Sequence, residues 1–482
     1  MTTQHDFKSA VRDRMKKTGE RYTAARAVLL QSSAGRATKP TIAGLIPEYT
    51  SFGGICRDTG AMRNVLAACG LIDANTKKPL SEAMVAGLCG GVGFLYAVFE
   101  YKGFPPILSI MGRYDTMPDV FIAGGFGRLG VKTSVSETTS AATARKALDA
   151  AITAKKPALC VVDAVVLADK GTLPASAMEG MAPTIVGVAG ATGDDVLIDD
   201  GGVESRRMSM ERFARARAAY KKGKNRLITI DEPAQAIDLR GPIARALADT
   251  AHRYRNAPYK GFASNMGLAG FEKWRGLLTD PKDKKSWPNV FPEGALAYLA
   301  LRRTYDGIEH EFTAPAAGRP IFADFLDEAS ATLGDSHHGV SLKSLAKAYR
   351  KSGEQWGAIT TAIATCGDKA VEQGCELGDS AREIFDEADC PRRGELVGIA
   401  EQRTTLAKQC TLKKDEALAI YERIARHVAE IESIEREASE KLAMAFPHAE
   451  GSASPARVSG KITAAKTLKA KSSKAATRKA KA

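Results

Sequence analysis

Leu80-Ser-Glu-Ala-Met-Val-Ala-Gly-Leu-Cys-Gly-Gly-Val-Gly-Phe94 opens with a helix cap and closes in a glycine turn. Ser81 immediately precedes an apolar run, so a helix starting at Glu82 is expected. Gly90, Gly91 and Gly93 predict a tight turn with close packing where that helix ends. Backbone N–H groups in such a turn also cradle anions, which makes the three glycines candidate binding positions. From Ala83 to Phe99 the chain carries no charge, a run of 17 residues at the short end for a bilayer span. Its four glycines favour a buried helix ending in a loop, and no membrane association is expected.

Upstream lies Phe52-Gly-Gly-Ile-Cys56-Arg57. Asp58 or Thr59 is expected to cap a helix that ends near Cys69-Gly70, which places Cys56 just before the helix start. There the helix dipole and free N–H groups lower a thiol pKa and supply an oxyanion hole, and Arg57 adds positive charge. The competing reading is an ordinary core cysteine.

Downstream, helices are expected over Pro118–Gly124, over Ala144–Ala154 with Thr143 as cap, and over Met210–Lys221 with Ser209 as cap. Strands are expected over 158–167, 184–189, 196–199 and 226–230, the middle two joined by a hairpin turn. Gly125-Phe-Gly-Arg-Leu-Gly130 matches a dinucleotide fingerprint, but a helix precedes it and a strand follows, the reverse of what a pyrophosphate site needs. From about 240 to 446 the pattern is nearly all helical. Leu418, Tyr421, Ile424, Val428, Ile431, Ile434, Ala438 and Leu442 form one stripe on a last helix over Asp415–Ala445, expected to pack on a bundle.

The net charge of +13 sits at the ends. Residues 451–482 hold nine Lys or Arg and no acid, and residues 1–30 carry a net +4; subtracting both from +13 leaves residues 31–450 neutral. The terminal stretch predicts a disordered tail able to touch nucleic acid without specificity, since it has no aromatic residue for stacking. A nucleoid-associated role through the basic ends is one alternative function. Eight cysteines include no C-x-x-C pair, so no metal site is expected, and with no apolar leader at Met1-Thr-Thr-Gln-His-Asp a cytoplasmic location is the expectation.

These blocks resemble a known family. Cys56-Arg-Asp-Thr-Gly-Ala-Met-Arg-Asn64, the 80–94 block, Pro105-Pro106, Gly112-Arg113, and Pro157 with Asp163 are similar to the N-terminal domain of the butirosin biosynthesis protein H family. Gly267-Leu-Ala-Gly-Phe-Glu-Lys-Trp274, Ile308-Glu309 and Phe322-Ala-Asp-Phe-Leu-Asp-Glu-Ala-Ser330 resemble the helical domain of unknown function that often follows it. The resemblance implies a papain-like, cysteine-peptidase-like α+β domain, then an all-helical domain. The implied chemistry is acyl transfer from a carrier-protein thioester to an amine.

The departures are chemical. No histidine lies between His5 and His252. Where the family has a His-Cys pair, Cys56 takes the histidine's place and Arg57 the cysteine's, with Cys56 kept as a candidate nucleophile by a one-residue slip. Met181 stands near the second expected histidine. Asp199 or Asp200 stands where the third member belongs. The histidines that remain to supply a base are His310, His337 and His338 of the helical region, or a partner chain's.

The expected organisation is a basic helical segment at 1–32, a linker at 33–50, the α+β domain at 51–235, the helical domain at 240–446 and the tail at 447–482. The leading functional reading is a catalytically degenerate member that binds a small molecule, a peptide or an acyl-carrier group, with no cofactor. Cys56 and Asp199 are the candidate catalytic pair. Arg57, Asn64, Ser81, Glu82, Gly90, Gly91, Gly93 and Met181 are the candidate binding residues. The alternative is an active cysteine-dependent acyltransferase or amidase.

Overall fold

The computed structural model describes residues 4–33, 43–114, 118–168, 183–231, 236–311, 315–386 and 391–448. Met181, and the tail from 449 onward, lie outside the described residues.

Besides two two-residue ladders, the strands in chain order are β1 (Leu95–Phe99), β2 (Ile107–Met111), β3 (Thr133–Ser136), β4 (Ala158–Asp163), β5 (Pro183–Thr192), β6 (Asp195–Asp199), β7 (Arg206–Ser209) and β8 (Leu227–Ile230). β1 and β2 form a hairpin. The other six make one antiparallel sheet in the order β3-β8-β4-β5-β6-β7. Helices α1 (Gln4–Thr18) and α2 (Tyr22–Ser33) precede α3 (Arg57–Ala68) and α4 (Glu82–Cys89). After them come α5 (Pro118–Leu129), α6 (Ala141–Thr153) and α7 (Met210–Ala219).

Both faces of the sheet are buried, which is why its central strands read as unbroken apolar runs. Ala158, Cys160 and Val162 face Leu148 of α6 and Phe213 of α7. Leu159 and Val161 face the other way, into the core that holds Met62, Val65 and Leu66 of α3. The helical half follows as α8 (Arg240–Arg255), α9 (Gly267–Thr279), α10 (Gly294–Glu309), α11 (Arg319–Leu333), α12 (Leu342–Ala364), α13 (Lys369–Asp386), α14 (Glu395–Gln409) and α15 (Lys414–Ala445). The apolar stripe of α15 packs on α8, α9 and α12. Buried residues from Ala27 to Phe446 form one continuous core across both halves. Phe94, the last residue of the decisive block, stacks on Phe271 with ring centroids 3.8 Å apart and packs on Trp274 and Trp356.

Several local expectations are corrected. α3 begins at Arg57 with Cys56 at the N-cap, not after Asp58 or Thr59. α5 runs on to Leu129, so the G-x-G-x-x-G stretch is mostly helix and ends at the left-handed Gly130. Ser140, not Thr143, caps α6, its hydroxyl accepting the Thr143 N–H. The strand expected over 158–167 stops at Asp163, whose carboxylate accepts the Val165 and Val166 N–H groups and starts a one-turn helix. Residues 43–50 of the expected linker lie on the sheet, with the Ile46 N–H donating to Ala189 and with Ile46 and Tyr49 buried. The uncharged 83–99 run is split between α4 and β1. Among the described residues no helix is long and apolar enough to cross a membrane.

Candidate functional site

Cys56 sits in extended backbone (φ −108°, ψ 136°) at the start of α3, and its side chain makes no cap hydrogen bond. The cap comes from another helix. Glu82, first residue of α4, turns its carboxylate onto this corner and accepts the Ile55 N–H, the Cys56 N–H and the Thr59 hydroxyl, each at 2.8 Å. Ser81 fixes α4 by accepting the Met84 N–H at 2.9 Å and donates to Glu328 of α11 at 2.7 Å. The anion-binding corner is therefore filled by the protein's own carboxylate. Burial pushes Glu82 above the usual carboxylate range, opposed by Arg63 and by the groups that donate to it.

Two consequences follow for Cys56. Burial pushes its thiol well up, and the Glu82 and Asp58 carboxylates push it further, against Arg113 and Arg382. A thiol so placed stays protonated near neutral pH and is a poor nucleophile. Its own backbone N–H, which an oxyanion would need, is committed to Glu82.

Arg57 follows in the first turn of α3. Its guanidinium lies 3.3 Å from the Phe385 ring centroid and 3.6 Å from the Asp386 carboxylate, both at the end of α13. A Cβ on Gly201 would stand 3.2 Å from the Arg57 Cα, so Arg57 faces the loop leaving β6. Asp199, at the end of β6, is fully buried. It accepts from Asn64 of α3 (2.6 Å), the Tyr49 hydroxyl (2.9 Å) and the Gly201 N–H (3.2 Å). Burial pushes Asp199 up, against those three donors. Asp200 instead pairs with buried Arg206 at 2.7 Å. The fold thus brings Cys56, Arg57, Asn64, Glu82 and Asp199 to one corner, with Asp199 held by the Asn64 amide and the Tyr49 phenol.

The glycines make room for aromatic side chains of the same molecule. A Cβ on Gly87 would stand 2.2 Å from the Phe325 ring, one on Gly91 2.6 Å from Phe322, and one on Gly93 2.3 Å from Tyr114. Gly90 lies beside Arg253 and Phe121, and its carbonyl accepts from Thr250 at 3.3 Å. What remains beside Cys56 is a cavity of ≈ 20 Å³, lined by Thr59, Arg113, Phe121, Ile321 and Phe322 among others. That is room for about one water.

Among the described residues no imidazole lines this cavity. His310 is held between Asp306 at 3.1 Å and Asp379 at 2.8 Å. Burial pulls its pKa down, but the two carboxylates outweigh it and raise the group to about 9. His310 is therefore a cation near neutral pH and no general base. His337 meets the Gly334 carbonyl at 3.1 Å and packs on Phe446, and His338 follows it in a left-handed turn.

Sequence reasoning missed the residues that close the corner. Arg26 of α2 is buried and donates to the carbonyls of Gly54 (2.6 Å) and Gly201 (2.9 Å). Its one signal is a lone cation within the apolar Ala24–Leu30 run. Arg319 and Glu435 form a fully buried bidentate pair at 2.7 and 2.8 Å. Arg319 also donates to the carbonyls of Gly93 (2.8 Å) and Gly112 (3.2 Å), fixing the glycine turn to the helical half.

A helix with a thiol at its N-terminus packs on an antiparallel sheet whose strand β6 ends in a buried aspartate, an α+β domain joined to a helical half. Residues 56–199 match the family model "Butirosin biosynthesis protein H, N-terminal", and residues 209–390 match a domain of unknown function, DUF4872. The first region is similar to the butirosin biosynthesis protein H N-terminal domain and the second to that helical domain, in the order the sequence blocks predict. The second match begins at β7, ahead of the boundary near 240 read from helical patterning. No curated protein matches the chain. A solved C39-like peptidase from Bacillus anthracis is 11% identical over 42% of this chain and 96% of that one, with a TM-score of 0.25.

Proposed function

We propose that this chain is a catalytically silent member of its family that acts by binding. The observation that carries the reading is the state of Cys56: buried, raised further by the Glu82 and Asp58 carboxylates, with its N–H committed to Glu82 and, among the described residues, no imidazole lining its cavity. Losing the base of such a pair costs orders of magnitude in rate. A nucleophile raised far above neutral pH removes most of what is left. The ≈ 20 Å³ cavity is far below the several hundred that an acyl chain or small ligand occupies. This favours a binding surface elsewhere on the molecule. The seven described cysteines are all free thiols, which fits the reducing cytoplasm.

The test is intact-mass spectrometry after incubation with an acyl-carrier thioester. No adduct is the expected result. An acyl adduct that disappears in Cys56→Ser would establish the alternative, a working cysteine-dependent acyltransferase.

A further inference from the structure

Among the described residues seven large apolar side chains stand exposed, and four of them fall within the nine positions 99–107: Phe99, Tyr101, Phe104 and Ile107. They make the tip of the β1–β2 hairpin. The base of the hairpin is buried, at Leu95, Tyr96 and Ala97 on one strand and at Leu108 and Ile110 on the other. The last ladder pair, Phe99 with Ile107, already projects into solvent. Tyr101 and Phe104 lie beyond it, 49% and 72% exposed. None of the four belongs to the core.

Local bonds hold the tip in shape. The Phe104 N–H donates to the Tyr101 carbonyl at 3.0 Å, across Gly103 at a φ of +85°. Pro105 and Pro106 fix the backbone of the returning chain. Phe262, from the segment after α8, stacks on Phe99 with ring centroids 6.1 Å apart. An apolar cluster held out in water by a stiff turn marks an interaction surface.

The charges nearby say what it meets. Lys102 on the tip and Lys260 beside Phe262 are both exposed. The described chain ends at His448, which stacks on His252 in the last turn of α8 at 4.1 Å between centroids. The end of α8 adjoins the hairpin base, where the Gly267 N–H donates to Phe94 at 2.9 Å and a Cβ on Gly267 would meet the Tyr254 carbonyl. Residues 449–482 follow, 34 positions that fully extended span about 110 Å, against about 17 Å for the five residues of β1. The nine cations of 451–482 can therefore reach the plane of the tip.

We propose that the β1–β2 tip docks on an anionic lipid surface, its apolar side chains entering the headgroup boundary while Lys102, Lys260 and the basic C-terminal residues meet the headgroups. Aromatic rings and lysines are the residue types that settle at a bilayer interface. A single apolar anchor binds a bilayer only marginally, and basic residues supply the second signal. A second copy is the poorer occupant, since pairing two tips brings two basic ends together. Nucleic acid would need open ring faces for stacking, and one face of Phe99 is taken by Phe262. The uncharged 83–99 run predicted no membrane contact on the ground of spanning; a docking tip inserts no helix. The proposal goes beyond the reading of Cys56 and does not depend on it.

The test is co-sedimentation of the full-length chain with vesicles of phosphatidylcholine, alone or with about one-third phosphatidylserine, at low and physiological salt. The expected result is binding to the phosphatidylserine vesicles that falls as salt rises, and little binding to phosphatidylcholine alone. The double substitution Tyr101→Ser, Phe104→Ser should weaken that binding at least about tenfold, through loss of two rings from the interface. Its melt should be unchanged, because both side chains stand outside the core. Lys102→Glu should weaken binding at low salt and less so at physiological salt. No binding to the phosphatidylserine vesicles, or equal binding by the double variant, would overturn the proposal. So would a wild-type dimer that the double variant abolishes, or oligonucleotide binding that the double variant loses, which would assign the tip to a second copy or to nucleic acid.

Discussion

His310 gives the chain a measurable alkaline weakness. Both ring nitrogens face carboxylates, Asp306 at 3.1 Å and Asp379 at 2.8 Å, and the group is raised from 6.5 to about 9. A basic group raised on folding contributes stability that is fully present below its unfolded value. That stability is lost as pH climbs through the folded one. The window is therefore about pH 6.5 to 9. At about 1.4 kcal/mol per pH unit, the gap between those values is at most about 3.5 kcal/mol. Urea unfolding at pH 6.5 and pH 9.5 should show a fall of that order in the wild type. His310→Gln, which stays neutral throughout, should be less stable at pH 6.5 and lose most of the slope. Parallel losses in wild type and variant would refute the cationic His310. They would also reopen it as a base.

Other perturbations have definite outcomes. Glu435→Ala leaves the Arg319 guanidinium buried without its carboxylate and should cost about 3–5 kcal/mol in urea unfolding. Gly91→Ala places a Cβ 2.6 Å from Phe322 at a φ of +61° and should cost at least about 2 kcal/mol, whereas Gly70→Ala, at a φ of +78° in open space, should cost about 1. Asp386, buried but held at about 2 by Arg382, Arg26 and Arg57, contributes stability above about pH 4 that is lost as pH falls through about 2. Asp386→Asn should flatten the acid limb of the melting-temperature profile.

Legibility in the sequence followed the range of the interactions. Ser81 and Ser209 were readable as caps because each bonds within its own first turn. The start of α3 was not, because the Cys56 side chain supplies no cap hydrogen bond and the cap is Glu82, 26 positions away. The central strands were visible because both faces are apolar. The β1–β2 hairpin was hidden, since Leu95–Phe99 continues the uncharged run of α4 without a break in character. Asp199, Asn64 and Glu82 were found through the family blocks, and the fold does gather them. Arg26 showed only as a lone cation in an apolar run and Glu435 not at all, because their partners are more than 25 positions away. Of the two readings of the glycine turn, anion cradle or close packing, the side chains around Gly91 and Gly93 show the packing. What it packs against, Phe322, Phe325 and Tyr114, is fixed only by tertiary structure.

The central claim, that this fold keeps its nucleophile corner without a usable nucleophile, rests on one thiol. The direct measurement is the alkylation rate of Cys56 against pH, followed by peptide mass mapping so that the other cysteines do not interfere. A thiol held far above its ordinary value should be alkylated negligibly below pH 9 in the native protein and at an ordinary rate once unfolded. Rapid alkylation of Cys56 at pH 7, with a midpoint below about 7.5, would contradict the account and restore an active thiolate.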